Sequence, residues 1–210
     1  MADNVEACVE LETETAKITA ASKIFDTARD LFYRRGIRAV GVDEIVCGAG
    51  VTKPSLYRAF KSKDELVAAC LRESAREGRA AVQAVLFAAG DDPRTRLDAL
   101  LRHYFDKLNQ PDFRGCAMNN VAIELSEPCH PGREVIEDCK RGMRATVVQL
   151  ARDLRVIDPE GLADGLLLVI EGAMATHHVF GCKGPAHAMI ETCDVLIESH
   201  FSRGLRSIGE

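Results

Sequence analysis

The chain contains few aromatic residues and no tryptophan. Phe and Tyr together make up 5% of its 210 residues, with 8 Phe and 3 Tyr. Aromatic and β-branched residues are enriched in strands, whereas a core built mainly from Leu and Ala is typical of packed helices. No segment alternates apolar and polar residues for long enough to indicate a strand, so we expect an all-α fold. A chain of this length can bury a sizeable core in one large domain or two small ones.

The sequence also lacks the signs of a disulfide scaffold or a metal site. It holds eight cysteines, but no two of them form a Cys-x-x-Cys pair and none is spaced from a His as in zinc sites. The acidic N-terminal stretch has no apolar segment of the kind found in signal peptides. We therefore expect a cytoplasmic protein with reduced thiols, most of them small apolar fillers in helices, and with no metal and no cofactor.

Motifs of common enzymes and of membrane spans are missing too. The chain has no Gly-x-Ser-x-Gly, no phosphate-binding Gly-x-x-x-x-Gly-Lys and no His-Glu-x-x-His. Its most apolar region, residues 162–180, is interrupted by Asp164, Glu171, His177 and His178, which leaves an uncharged run too short to cross a bilayer. The sequence predicts neither an enzyme nor a membrane protein.

Charge is distributed unevenly along the chain. The formal net charge is −5, from 32 acidic and 27 basic residues. Between residues 29 and 65, however, eight basic residues stand against five acidic ones. A basic N-terminal third on an acidic body is expected of a protein whose N-terminal part binds nucleic acid while its body faces away from the phosphates.

Apolar residues recur with a helical period along most of the chain. Capping residues, Gly turns and Pro at helix starts divide this pattern into nine predicted helices. They cover about residues 18–35, 42–49, 53–60, 62–88, 93–108, 117–125, 134–154, 158–180 and 185–203. We expect residues 1–14, with five acidic residues and no basic one, to form a disordered arm. Residues 15–62 are expected to form one domain and residues 63–210 a second, linked by the fourth helix.

The second and third predicted helices form a helix-turn-helix. Gly50 supplies the sharp bend, because a residue without Cβ adopts the left-handed region at little cost. Val51 is the apolar plug between the helices, and the Thr52 hydroxyl is expected to cap the third helix. That helix buries Leu56 and Phe60. Its outward face carries basic or hydroxyl-bearing side chains, namely Lys53, Ser55, Tyr57 and Arg58.

Several short motifs occur in a fixed order in this region. They are Leu31-Phe32 followed by Gly36, Ala49-Gly-Val-Thr52, Leu56-Tyr57 and Ser62-Lys-Asp-Glu65. In this order they resemble the tetracycline-repressor (TetR) family of bacterial transcription regulators, specifically over about residues 16–72 and more loosely beyond. One departure is Val40-Gly41, where the family usually has Thr-Ser or Thr-Thr. Gly41 is a weaker helix cap and offers no hydroxyl to a phosphate.

The resemblance implies a homodimer whose two recognition helices enter successive major grooves of a near-palindromic, double-stranded operator. Arg58 is the candidate for a bidentate contact to a guanine, and Pro54 offers an apolar edge to a thymine methyl. Further contacts to phosphates or base edges are expected from Arg38, Thr52, Lys53, Ser55, Tyr57, Lys61 and Lys63. Two alternatives stay open: Tyr57 could instead pack its ring, and Lys61 could lie on an ordinary solvated face.

The remainder of the chain is expected to dimerise. The ninth predicted helix has an apolar stripe, and the eighth is apolar nearly all round from residue 166 to 174. Two such helices from each subunit would pack as a four-helix interface between copies. The alternative is that both helices belong to the core of a single monomer.

The body is also expected to sense a ligand, in an apolar cavity between helices four to eight. The candidate lining residues are His103, Phe105, Cys116, Met118, Asn119, Asn120, Glu124, Met174 and His177. The resulting hypothesis is a repressor that a small, largely apolar organic effector releases from DNA. Alternatives on the same fold are a transcriptional activator and a redox sensor using the thiol of Cys116 or Cys129, near Arg114 and His130.

Overall fold

The computed structural model describes residues 19–125 and 127–206, which contain helices and no strand. Nine α-helices follow one another in these residues: α1 Ala20–Arg35, α2 Val42–Ala49, α3 Lys53–Ala59, α4 Lys63–Ala88, α5 Pro93–Leu108, α6 Ala117–Glu124, α7 Pro131–Asp153, α8 Pro159–Phe180 and α9 Met189–Arg206. The expected all-α class is confirmed. The acidic arm predicted at residues 1–14 lies outside the described residues.

Local chemistry sets the start of several helices. The Asp92 carboxylate accepts a hydrogen bond from the Thr95 amide (2.8 Å) and so caps α5, and Pro93 occupies the first turn, where no amide partner is needed. Asp158 caps α8 in the same way through the Gly161 amide (2.9 Å), and Pro159 follows it. These two helices begin and end where the sequence predicts.

Two helix starts differ from the prediction. Helix α7 begins at Pro131, three residues before the predicted 134, because His130 acts as its cap: the imidazole Nδ1 accepts a hydrogen bond from the Gly132 amide at 2.9 Å. Helix α9 begins at Met189 rather than near 185, because two 3₁₀ turns, Gly181–Lys183 and Pro185–Ala188, come first. Both differences come from caps and turns that the apolar period does not record.

The core is divided into two hydrophobic clusters, and both α4 and α7 contribute residues to each of them. The first contains Ile24, Ile45 and Leu56 of α1 to α3, the N-terminal half of α4, and residues of α6. The second is built from α5, α7, α8, α9 and the C-terminal part of α4. Helix α4 is 26 residues long and contributes to both clusters, so packing does not stop at residue 62. The domain boundary at 62/63 stays a prediction.

Helix α8 is the most apolar segment of the described chain. By length and composition alone, Pro159–Lys183 could cross a membrane, with a mean hydropathy of 1.3 over its best window. One side of this helix is buried in the second cluster, through Leu162, Leu166 and Ile170. Core helices of soluble proteins can have the same composition, so one such helix is not evidence of a membrane span.

Candidate nucleic-acid interface and body cavity

A tight turn between α2 and α3 fixes the angle of the two helices. Gly50 ends α2 with φ of 63°, in the left-handed region, and its amide donates to the carbonyls of Val46 and Cys47. A Cβ on Gly50 would meet no atom within 4 Å, so the backbone conformation and not crowding requires the glycine. Leu56 is fully buried against α1 and α2. The turn and this leucine hold α3 on the surface.

The outer side of α3 is exposed and basic. Of the residues predicted to contact DNA, the exposed ones are Arg38, Thr52, Lys53, Pro54, Tyr57, Arg58 and Lys61, and the half-buried ones are Ser55 and Lys63. Tyr57 is 52% exposed, which contradicts the alternative that its ring packs in the core. Arg58 and Lys61 form no ion pair with any described residue, whereas Arg34 pairs with Asp30 at 2.6 Å and Arg35 pairs with Glu44. Two cations of this face are therefore free to meet an external anion.

The Thr52 hydroxyl does not cap α3, contrary to the sequence prediction. Thr52 occupies the cap position but forms no side-chain cap hydrogen bond. Its hydroxyl lies 3.0 Å from the Ser55 hydroxyl, and Ser55 accepts a hydrogen bond from the Arg58 guanidinium at 3.3 Å. Pro54 has no amide hydrogen, and the amides of Ser55 and Leu56 donate to the Thr52 carbonyl at 3.0 and 3.2 Å, so the start of α3 is closed by backbone hydrogen bonds instead.

Two of the predicted lysines have partners within the chain. The Lys53 ammonium lies 2.7 Å from the exposed Asp43 carboxylate, whose hydrogen bond raises the pKa of Lys53. The Lys63 ammonium donates to the Ile37 carbonyl and lies 5.9 Å from the centre of the Phe32 ring. Lys63 therefore ties α4 to the loop between α1 and α2, a contact within the fold that the sequence did not indicate.

The loop between α5 and α6, and α6 itself, connect the helix-turn-helix to the body. The Tyr33 hydroxyl of α1 accepts a hydrogen bond from the Arg114 amide (2.9 Å) and donates to the Gly115 carbonyl (3.4 Å). At the other end of α6, the Glu124 carboxylate accepts the Arg38 amide at 2.8 Å. Glu124 was predicted to line the body cavity; it lies instead against the loop that precedes α2. The role of Tyr33 in this connection was not predicted, because α1 and residues 114–115 are distant in sequence.

The body contains a cavity of about 460 Å³ lined by α4, α5, α7, α8 and residues 110–118, together with Tyr33 of α1. Three of the predicted lining residues are in its wall: Cys116, Met118 and Met174. Six are not: His103, Phe105, Asn119, Asn120, Glu124 and His177. The Asn120 amide instead donates to the Arg114 carbonyl (2.8 Å), and the His177 ring packs edge-on against Phe113. Helical period identifies buried faces but not which of them border a void.

A polar group in the cavity wall was not predicted. The Lys140 ammonium of α7 pairs with the Glu171 carboxylate of α8 and lies 3.5 Å from the Cys116 thiol. Asn119, just outside the wall, donates to the other oxygen of Glu171. Burial acts to lower the pKa of Lys140, but Cys116 and Glu171 outweigh it and raise the pKa overall. Lys140 is therefore a charged group in a mostly apolar wall.

The thiols show no arrangement for disulfide formation or metal binding. The seven cysteines of the described chain are all free, and no group of three or more potential metal ligands occurs among those residues. Burial raises the pKa of Cys70 to about 12 and that of Cys193 to about 11, so both behave as inert core thiols. Cys129 is exposed, and its predicted neighbour His130 caps α7 instead.

An apolar stripe is exposed along α8 and α9. Leu168 and Val179 on α8 are 75% and 72% exposed, and Val195 on α9 is 65% exposed. Gly172 lies one turn after Leu168, and a Cβ there would meet no atom within 4 Å. Glycine inside a helix costs about 1 kcal/mol relative to alanine. A row of exposed aliphatic side chains is typical of a surface that another chain covers.

Comparison with known proteins agrees with this geometry. Residues 24–70 match the family described as bacterial regulatory proteins, tetR family. A solved structure of a tetr-transcriptional regulator, sav143, from Streptomyces avermitilis is 31% identical, with a TM-score of 0.77 over 87% of this chain and 98% of that one. The HTH-type transcriptional repressor DhaR of Mycobacterium sp. is 25% identical over 170 residues, which are 76% of this chain and 82% of that protein.

Other curated relatives match over a shorter length. The HTH-type transcriptional activator FasR of Mycolicibacterium smegmatis is 40% identical over 79 residues, 38% of this chain, and the match spans about a third of FasR (36%). These relatives are DNA-binding regulators and not enzymes, which confirms the prediction that the chain is not an enzyme. With the helix-turn-helix, the body helices and the sequence matches in agreement, the chain belongs to the TetR family of bacterial transcriptional regulators.

Proposed function

We propose that the protein is a cytoplasmic, homodimeric repressor that binds an inverted-repeat operator and is released by a small organic effector. The observation that carries the proposal is the exposed basic side of α3, held by the Gly50 turn, with cations free of ion pairs at Arg58 and, just after the helix, at Lys61. A short recognition helix held by such a turn enters a major groove of DNA and contacts base edges with the residues of its N-terminal half. Repression as the mode is supported by the match to DhaR, a repressor, over 82% of its length.

Two copies of α3 are needed to read an inverted repeat. The exposed stripe of Leu168, Gly172, Val179 and Val195 supports an interface formed by α8 and α9 of two subunits. Such an interface is self-complementary about a two-fold axis, which matches the symmetry of the operator. One operator half-site then meets each recognition helix.

Release requires a path from the body cavity to the helix-turn-helix. Gly115 and Cys116 line the cavity, and the Gly115 carbonyl is also bonded to Tyr33 of α1. Helix α6 runs from there to Glu124, which holds the Arg38 amide. A ligand that moves the start of α6 therefore acts on α1 and on the loop before α2. It shifts the DNA-binding equilibrium only if it binds the two arrangements with different affinity.

Selection of bound sequences from random duplex DNA tests the proposal with the purified protein. We expect enrichment of one inverted repeat whose half-site centres lie about one helical turn apart or a multiple of it. Sedimentation at micromolar protein should show a dimer. An enriched pool without two-fold symmetry, or no enrichment, contradicts the proposed mode of binding.

Substitution of Arg58 by alanine tests the recognition helix itself. We expect Arg58→Ala to weaken binding to the selected operator by about 1–3 kcal/mol and to relax the preference at one base position. Lys61→Ala is the matched control: it removes a nearby cation and should weaken binding to all sequences alike, with a smaller salt dependence. If Arg58→Ala leaves the selected base preference unchanged, the base contact assigned to Arg58 is wrong.

A further inference from the structure

The wall of the body cavity carries more positive than negative charge. Arg79 of α4, Lys107 of α5 and Lys140 of α7 line it, and Glu171 is the one carboxylate among the described lining residues. Most of the remaining wall is apolar. Arg79 and Lys107 form no ion pair with any described residue, so an uncharged ligand would remove water from them without supplying a partner, which costs free energy.

Two of the cations lie on neighbouring walls of the cavity. Arg79 is on α4, Lys140 is next to Cys139 on α7, the two helices pack against each other, and all three residues line the cavity. Arg79 forms no ion pair within the described residues, although Arg76, one turn before it, is held by Glu73 at 2.9 Å. The α4 wall of the cavity thus carries a guanidinium that has no carboxylate partner, and the neighbouring α7 wall carries an ammonium that is paired with Glu171.

Glu171 indicates which kind of chemical group fits beside Lys140 in the cavity wall. Its carboxylate receives hydrogen bonds from the Lys140 ammonium and from the Asn119 amide. Lys140 and Glu171 are both partly covered, with side chains 30% and 27% exposed, so their mutual attraction is screened less than on an open surface. The chain itself therefore places one carboxylate beside Lys140. The positive charge of Arg79 is left to pair with a second carboxylate, supplied by a ligand.

We propose that the effector is an amphipathic organic anion whose carboxylate lies between Arg79 and Lys140 while its apolar body fills the cavity toward Leu86, Leu100 and Met174. This inference rests on the proposed function, since it assigns a ligand class to the effector cavity of the regulator. A charge-assisted, bidentate contact from a guanidinium is among the stronger hydrogen-bonding arrangements available to a carboxylate. A cavity of about 460 Å³ holds a molecule of modest size, within the usual range for ligand sites.

Matched pairs of acid and amide test the ligand class. The probes are phenylbutyrate, naphthoate and decanoate, each compared with its primary amide by calorimetry and by thermal shift of the full chain. We expect at least one acid to bind, to do so about tenfold or more tightly than its amide, and to release the operator at the same concentrations. A tenfold change in affinity corresponds to about 1.4 kcal/mol.

Variants that remove a charge test whether the ligand carboxylate contacts Arg79 and Lys140. Arg79→Gln and Lys140→Met should each weaken binding of the acid about tenfold and leave binding of the amide unchanged. The controls are Arg76→Gln on α4 and Arg141→Gln on α7, which remove exposed guanidiniums paired only within their own helices. Glu171→Gln should act in the opposite direction and tighten binding of the acid, because it removes a competing carboxylate.

The outcomes separate this inference from the proposed function. The inference is wrong if the amides bind as tightly as the acids, if no acid of the series binds, or if Glu171→Gln weakens the acid. Should the protein bind an operator that only neutral compounds release, the anion is excluded while the regulator stands. If the protein binds no operator but still binds acids more tightly than amides, with the expected effects of the Arg79, Lys140 and Glu171 variants, the proposed regulator function is wrong and the anion site is supported.

Discussion

Leu168→Arg is expected to convert the dimer to a monomer and to lower affinity for the two-half-site operator by about 100- to 10,000-fold. The reason is geometric: two linked recognition helices bind the second half-site as an intramolecular event, and a monomer loses this advantage entirely. Leu168 is 75% exposed in the single chain, so the substitution leaves the fold of each subunit intact. A buried guanidinium without a partner at the subunit interface is strongly destabilising.

Sedimentation and binding measurements check this result together. The matched control is Phe87→Arg, which places the same charge at a 90% exposed apolar position near the end of α4, away from the stripe. It should leave the dimer and its operator affinity unchanged. Far-UV circular dichroism should show the same helix content for both variants. If Leu168→Arg sediments as a dimer at micromolar concentration, the interface through α8 and α9 is wrong.

Much of the fold could be predicted because helix ends depend on local chemistry. The boundaries of α2, α5 and α8 follow from Gly50, Asp92-Pro93 and Asp158-Pro159, which act on their own neighbours in sequence. The exposed side of α3 could be predicted for the same reason: in a seven-residue helix with one buried residue, the others must face outward or sideways. Even here the Thr52 hydroxyl was misassigned, since Ser55 competes for it.

The cavity could not be predicted in the same way. Its polar end joins Lys140 and Glu171, which are 31 residues apart and belong to different helices. Each of them lies at the edge of the apolar face of its own helix. Whether the two side chains meet in the cavity wall depends on how α7 is rotated against α8, which the sequence does not give. The Glu124 contact to the Arg38 amide spans 86 residues and involves a backbone group, which leaves no trace in side-chain patterns.

The position of α3 depends on very few buried atoms, which leads to a prediction with a large effect on stability. An isolated helix of seven residues is unstable in water, so α3 holds its place through tertiary packing. Leu56 is the buried residue of this helix, fully covered within the cluster that contains Ile45 and Phe32. Packing around Leu56 therefore decides both the stability of the helix-turn-helix and the placement of its outer face.

Leu56→Ala is expected to lower the free energy of unfolding by about 2–5 kcal/mol, because it removes buried methyl groups and leaves a cavity. For a chain of this size that loss lowers the melting temperature by roughly 5–15 °C, and operator binding should weaken even at temperatures where the body remains folded. The control is the next residue: Tyr57→Ala, at an exposed position, should weaken operator binding with little change in melting temperature. Thermal unfolding followed by circular dichroism, with operator binding measured on the same samples, distinguishes the two. An unchanged melting temperature for Leu56→Ala would show that α3 is held by something other than this side chain.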